Sequence, residues 1–175
     1  IINNYIFAVL SFTIFIYFYS TLSLPGMILI WLFSGYTFGI YIGFFISSIF
    51  TSLGSLNLFL LSRTLLHSIF EIKFDKYINK IKNKMENNSY ELLIIFRLSP
   101  VNIPFFLQNV VLSFLNISFI KYIITTFIGL SPTIFFAVII GDSISQIDNL
   151  KDFNFNDLLN KEFIILYILI LFIIS

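Results

Sequence analysis

Residues 92–106 read Leu92-Leu93-Ile94-Ile95-Phe96-Arg97-Leu98-Ser99-Pro100-Val101-Asn102-Ile103-Pro104-Phe105-Phe106. One cation, two prolines and the polar Ser99 and Asn102 interrupt a run that is otherwise apolar. Crossing a hydrocarbon core of about 30 Å takes about 20 helical residues. Leu92 to Leu98 and Phe105 to Leu115 are each too short for that. Irregular backbone inside a bilayer is tolerated only where protein or a water-filled cavity satisfies it. If this stretch lies in a membrane, it therefore enters and leaves on one side and lines a polar space.

The rest of the chain argues for the membrane. Of 175 residues, 58 % are hydrophobic, 19 % aromatic and only 11 % charged, and mean hydropathy is +0.98. Soluble domains carry about 25 % charged residues, so a soluble enzyme would lack the polar side chains to cover its surface. The same figures exclude disorder and a nucleic-acid-binding surface. With no cysteine, a disulfide, a thiol nucleophile and a thiolate metal site are excluded too. The reading is an all-α, polytopic transmembrane protein forming one membrane domain over residues 1–175. The chain begins Ile-Ile-Asn-Asn without an initiator Met, which fits a fragment or a trimmed chain.

Working outward, residues 1–62 hold no Asp, Glu, Lys or Arg. Tyr5 to Leu24 reads as one span, ended by Pro25-Gly26. Gly26 to Thr37 is too short to cross, and Gly35, Gly39 and Gly43 follow at four-residue spacing, the small-xxx-small pattern of close helix packing. Phe45 to Leu66 reads as a second span, with Arg63 near its end. Between residues 69 and 90, Phe70, Phe74, Tyr77, Ile78, Ile81 and Met85 recur at steps of three and four, with Lys73, Lys76, Lys80 and Lys84 on other faces. That is an amphipathic surface helix or a linker helix. Phe119 to Ile140 is a third span, marked by Gly129 and Pro132. Residues 142–162 form a polar loop, and Phe163 to Ser175 a cut-short last span.

The 69–90 loop carries five Lys and three acids, and the 142–162 loop two Lys and five acids. The positive-inside rule puts the first in the cytoplasm and the second outside. Counting two spans before the basic loop puts the N-terminus in the cytoplasm. The short segments then form two re-entrant hairpins, from Pro25 to about Phe45 and from about Glu91 to Leu115, entering from opposite faces. Pro25 and Pro100 are 75 residues apart, as are Gly54 and Gly129. A Gly/Pro-broken hairpin followed by a span in each half is the pattern of an inverted repeat, with a site near the midplane. Ser34, Thr37, Asn102, Gln108 and Asn109 are the polar candidates for its lining.

These residues resemble a known family. Leu24-Pro25-Gly26, Gly35-x-x-Phe38-Gly39-x-x-x-Gly43 and Phe59-x-x-x-Arg63 are similar to the first half of a DedA-type protein. Phe96-Arg97-Leu98-Ser99-Pro100-x-x-x-Pro104-Phe105-x-x-x-Asn109, with Gly129-x-x-Pro132 and Gly141, is similar to the second. This is the VTT, or SNARE-associated Golgi protein, domain, and the resemblance covers about residues 20 to 142. It implies facing re-entrant hairpins and a role in moving lipids between leaflets, as a scramblase or a carrier of polyprenyl-phosphate lipids, in membrane homeostasis. The polyprenyl-phosphate branch tends to carry an acid in the first hairpin. Here Met27-Ile28-Leu29-Ile30 follows Pro-Gly and no acid precedes Glu71, which favours the branch with the eukaryotic scramblases.

Arg97 is the foremost candidate, because a charge in an apolar segment costs ~2.5–3.5 kcal/mol or more. It has two readings, a guanidinium for a lipid phosphate or a structural group on carbonyls freed at the break. Arg63 has a phosphate-path reading and a snorkelling one. Asn102, Gln108 and Asn109 complete the substrate-path candidates. Pro25, Gly26, Gly35, Gly39, Gly43, Pro100, Pro104, Gly129 and Pro132 shape the hairpins. Glu91 and Asp142 read as interface residues, and Trp31 as a packing or belt residue. His67 has no acid or His partners for a metal. No catalytic motif is present, so neither an enzyme activity nor a metal or other cofactor is expected. The expected partners are membrane lipids and a possible second copy of the chain, with no nucleic acid. The expected location is a membrane, with few soluble loops favouring the bacterial plasma (inner) membrane. A lipid transporter or scramblase leads. A proton- or ion-coupled carrier of a small anion and a non-transporting scaffold are the alternatives.

Overall fold

The computed structural model describes residues 2–65, 76, 89–98 and 104–146. The amphipathic segment 69–90 apart from residues 76, 89 and 90, the 142–162 loop beyond residue 146, the last apolar segment, His67, Pro100 and Asn102 lie outside the described residues. The described residues form five helices and no strand: α1 (Ile2–Thr21), α2 (Met27–Thr64), α3 (Tyr90–Leu98), α4 (Phe105–Ser113) and α5 (Phe119–Ser145). By length and composition, α2 and α5 are long and apolar enough to cross a membrane.

Helix α2 is not one rod. Gly39 has φ 75 and ψ 177, a backbone that only glycine adopts readily. The chain folds back there. The Ser34 hydroxyl donates to the Gly43 carbonyl at 3.0 Å, and Trp31 Nε1 donates to Thr51 Oγ1 at 3.1 Å. In a straight helix Ser34 and Gly43 would stand about 13 Å apart. A Cβ on Gly43 would come within 2.9 Å of the Ser34 carbonyl oxygen, so glycine is needed on the returning arm as well as at the turn.

Helix α1 runs antiparallel to the 27–38 arm. The Tyr5 and Phe12 rings meet Phe38 at 6.2 and 5.2 Å, and the Tyr19 hydroxyl donates to the Pro25 carbonyl at 2.5 Å. The reversal between them uses Ser23 at φ 46 and Gly26 at φ 88. Residues 40–64 then lie antiparallel to α5. Gly39 is beside Asp142, Phe44 meets Phe135 at 5.5 Å, and Phe59 stacks on Tyr122 at 4.1 Å. This pair is the spine of the molecule. The 40–64 arm is about 37 Å long, and the 27–38 arm about 18 Å.

Two expectations change. Tyr5 to Leu24 does not run the length of the bundle. It ends at Thr21, and Ser20 meets Phe50 and Thr51, only half-way along the 40–64 arm. The start of α1 and Asp142 sit at the same end, because both meet the Phe38–Gly39 turn. The expected orientation had placed them on opposite faces. Counting α1 as a full crossing caused that error.

Glycines set the helix contacts. A Cβ on Gly35 would overlap the Val138 carbonyl, and one on Gly141 the Leu32 carbonyl, so α5 lies directly on the 27–38 backbone. Gly54 seats α1 at Tyr17 and Ser20, and Gly129 seats α3 at Ile94 and Arg97. Pro104, at φ −52, opens α4, and Ser118 caps α5, its hydroxyl accepting from the Lys121 N–H at 3.3 Å. Pro132 stands inside α5 and removes one rung of its hydrogen bonding.

Candidate functional site

Arg97 is 1 % exposed. Gly129 allows this, since a Cβ there would stand 2.5 Å from the Arg97 Cβ and 3.2 Å from its Cγ. The guanidinium therefore lies inside the bundle, level with the Tyr122–Gly129 stretch of α5. Its Nη1 donates to Asn109 Oδ1 at 2.7 Å and reaches Gln108 Oε1 at 3.5 Å. Its Cζ lies 5.1 Å from the centre of the Tyr122 ring.

Asn109, fully buried, joins three elements to this arginine. Its Oδ1 also accepts from the Tyr122 hydroxyl at 2.8 Å, and its Nδ2 donates to Ser23 Oγ at 2.8 Å. The left-handed backbone at Ser23 aims that hydroxyl inward. Ser23 passes its own proton to the Ser20 carbonyl at 3.0 Å. Tyr122 has a second acceptor, the Ser55 carbonyl, at 3.1 Å. The α1–α2 turn, the 40–64 arm of α2, α3, α4 and α5 thus converge on one polar cluster in an apolar bundle.

The cluster is charged and incompletely paired. Arg97 Nε and Nη2 are buried and have no hydrogen-bond partner among the described residues. The carboxylates among those residues are Glu91 and Asp142. Glu91 is exposed at the start of α3, where its own backbone N–H and the Ser89 hydroxyl hold its carboxyl below the usual range. Asp142 lies at the far end of α5, accepting from Gln146 Nε2 at 2.9 Å. Neither reaches Arg97. Among the described residues this charge has no counter-ion, a state that costs several kcal/mol, and the two N–H groups without a partner there form a fork that suits an oxyanion. No group of three or more His, Cys, Asp or Glu that could hold a metal occurs among the described residues.

Arg63 does something else. Its Nε donates to the Ser113 carbonyl at 3.1 Å and its Nη1 to the Ile117 carbonyl at 2.8 Å, while Nη2 donates to the Leu115 carbonyl. It closes the C-terminal end of α4 and ties the 113–117 link to α2. It also lies over the Phe59 ring at 4.5 Å. Every nitrogen of this guanidinium is in use, unlike those of Arg97.

The expected lining divides. Gln108 and Asn109 are at Arg97. Ser34 closes the Gly39 fold-back instead, and Thr37 is exposed, because the arm that carries them packs on α5 further along. Trp31 is buried and bonded to Thr51 rather than in a belt. Sequence reasoning missed Ser23, Ser55 and Tyr122. A tyrosine in an apolar span reads as a belt residue, and only its depth, level with the second break, could have singled it out.

A family model described as the VTT domain matches residues 24–143. That is well over half of the chain and nearly the stretch on which the resemblance rests. Among curated proteins, the chain is similar to a protein named Transmembrane protein 41 homolog from Dictyostelium discoideum. The two are 27 % identical over 154 residues, 86 % of this chain and 46 % of the relative, so the chain spans under half that relative's length. No solved structure matches. The family match covers the helices that converge on Arg97, and the chain belongs to the VTT-domain (DedA) family of integral membrane proteins.

Proposed function

We propose that this chain is a lipid transporter or scramblase, moving phospholipid or another lipid phosphate between leaflets, with Arg97 holding the phosphate inside the bundle. The observation that carries this reading is the buried guanidinium, two of whose nitrogens have no partner among the described residues. A lipid phosphate is the anion a bilayer supplies in quantity, and guanidinium matches its geometry.

The placement in the bilayer follows from the two ends of the bundle. Tyr5, Tyr36 and Tyr41 are exposed around the Gly39–Asp142 end. Tyr90 is exposed at the other, where Lys121 Nζ lies 4.6 Å from its ring and Arg63 ties the 113–117 link. Tyrosines and cations gather at membrane surfaces. The 40–64 arm and α5 then cross the core. The α1–27–38 pair dips in from the Gly39 end with its turn at 22–26, and the α3–α4 pair dips in from the Arg63 end. The basic loop puts the Arg63 end in the cytoplasm, and α1 then starts from the external face. Gly54 and Gly129, at one offset, each seat the helix that precedes a proline break. This supports an inverted repeat.

The test is translocation in proteoliposomes. A fluorescent phospholipid labels both leaflets, and a membrane-impermeant reductant bleaches the outer one, with and without a pH gradient. Loss of signal beyond the outer leaflet's share, without a gradient, is the expected result. Protection of the inner leaflet under both conditions rejects scrambling. Gradient-driven uptake of free phosphate in the same vesicles would then assign the site to a small-anion carrier.

A further inference from the structure

Ser48, Ser52, Ser55, Phe59 and Ser62 follow at steps of four, three, four and three along α2. They form one stripe of the helix, and all five are buried. Small hydroxyl residues on a membrane helix have an ordinary use, which is to bond the carbonyl one turn back. Ser52 and Ser55 do this at 2.7 Å each. Ser48 and Ser62 do not. Their hydroxyls are fully buried and have no partner among the described residues. The stripe also passes the Arg97 cluster, because the Ser55 carbonyl is an acceptor for Tyr122. Buried hydroxyls without a partner among the described residues therefore stand on either side of the Arg97 cluster, on one face of one helix.

Phe59 is the exception in the stripe. Its ring stacks on Tyr122 at 4.1 Å and 31°. Arg63 covers the outer face of Phe59 at 4.5 Å, and Arg97 lies over Tyr122 at 5.1 Å. Two cations are held apart by two rings, and the rings separate Ser62 from the Arg97 cluster.

We propose that the Ser48–Ser62 stripe of α2 is a closed polar conduit running past the Arg97 site, and that the Phe59–Tyr122 stack shuts it on the Arg63 side. The conduit would carry the polar part of the cargo, here a phosphate-bearing headgroup, past helix α5. That cargo rests on the function proposed above, whereas the conduit rests on the buried hydroxyls. Passage requires Phe59 and Tyr122 to part, which means a small separation of α2 from α5.

The chain has no cysteine, so single cysteines report cleanly. Ser62→Cys, Ser48→Cys and the equally buried but apolar Ile134→Cys are made in the full chain and placed in sealed vesicles. A charged, impermeant methanethiosulfonate is added on the face where the exposed Leu65→Cys reacts. Ser62→Cys is expected to react and Ser48→Cys to react slowly. Phe59→Leu should speed Ser48→Cys about three- to tenfold, the population shift that follows loss of an aromatic pair. Tyr122→Leu serves as the second opening variant should Phe59→Leu fold poorly. Ile134→Cys should stay inert in every background. If Ser62→Cys and Ser48→Cys are as inert as Ile134→Cys, there is no conduit. If both opening variants fold but leave Ser48→Cys unchanged, the stack is not the closure. Vesicles that label as expected but move no lipid uphold the conduit and reject the lipid cargo.

Discussion

Asn109 offers a substitution that separates folding from anion binding. Its side chain makes one charge-assisted hydrogen bond, to Arg97, and two neutral ones, to Tyr122 and Ser23. Such bonds contribute about 1.5–3 and about 0.5–1.5 kcal/mol respectively. In Asn109→Ala, Tyr122 can fall back on the Ser55 carbonyl and Ser23 keeps the Ser20 carbonyl. Arg97 loses its best acceptor. The expected loss is about 3 kcal/mol, most of it at the arginine. Asn109→Asp is different. The carboxylate is nearly isosteric and keeps both acceptor contacts, and Ser23 can turn its hydroxyl to donate. A buried ion pair roughly balances its own desolvation, so stability should stay within about 1.5 kcal/mol of the parent. But the aspartate occupies the charge of Arg97. A unit charge about 4 Å away is worth about 4 kcal/mol at an effective dielectric of 20, or nearly three orders of magnitude in affinity for an incoming phosphate. Thermal unfolding in detergent and translocation in proteoliposomes read the two effects separately. The expected result is a folded Asn109→Asp protein with transport reduced at least about a hundredfold. A folded Asn109→Asp protein that transports at the parent rate would refute the claim that Arg97 receives the anion.

Other substitutions test the frame around the site. Gly129→Ala places a methyl against Arg97. Overpacking of about 1–3 kcal/mol is partly offset by about 1 kcal/mol of helix propensity, so thermal stability should fall modestly while transport falls sharply. Gly35→Ala and Gly141→Ala drive a methyl into backbone rather than side chain, and each should cost about 3 kcal/mol or more, seen as loss of a monodisperse peak on size exclusion. Arg63→Lys keeps the charge but cannot serve three carbonyls at once. A melting-point drop matching about 2 kcal/mol, with transport falling only in step with stability, is expected. A selective transport loss would return Arg63 to the substrate path.

The membrane class, the helical content and the two breaks were legible because they depend on composition and on segment length. Arg97 was legible because a charge in an apolar run is costly wherever it lies. The packing role of Gly35 and Gly43 could be read from their spacing. Gly39 could not be told from its neighbours, because one four-residue pattern contains two packing glycines and one turn. That ambiguity displaced the first reversal and, with it, the face from which α1 starts. The readings of Arg63 were unresolved in sequence because its acceptors, at Ser113 to Ile117, are some fifty residues away. Ser23, Ser55 and Tyr122 were hidden for the same reason. Their importance comes from the three-dimensional meeting of five segments, which no local pattern encodes.

The central claim is that Arg97, buried where five segments meet and without a counter-ion among the described residues, carries the lipid phosphate. The most direct measurement compares phospholipid translocation by the parent chain, Arg97→Lys and Arg97→Ala in proteoliposomes of equal protein content, each first shown to be folded. The account predicts fast loss of inner-leaflet signal with the parent, partial activity with lysine, which keeps the charge but not the fork, and none above empty vesicles with alanine. Translocation by a folded Arg97→Ala protein at the parent rate would contradict it.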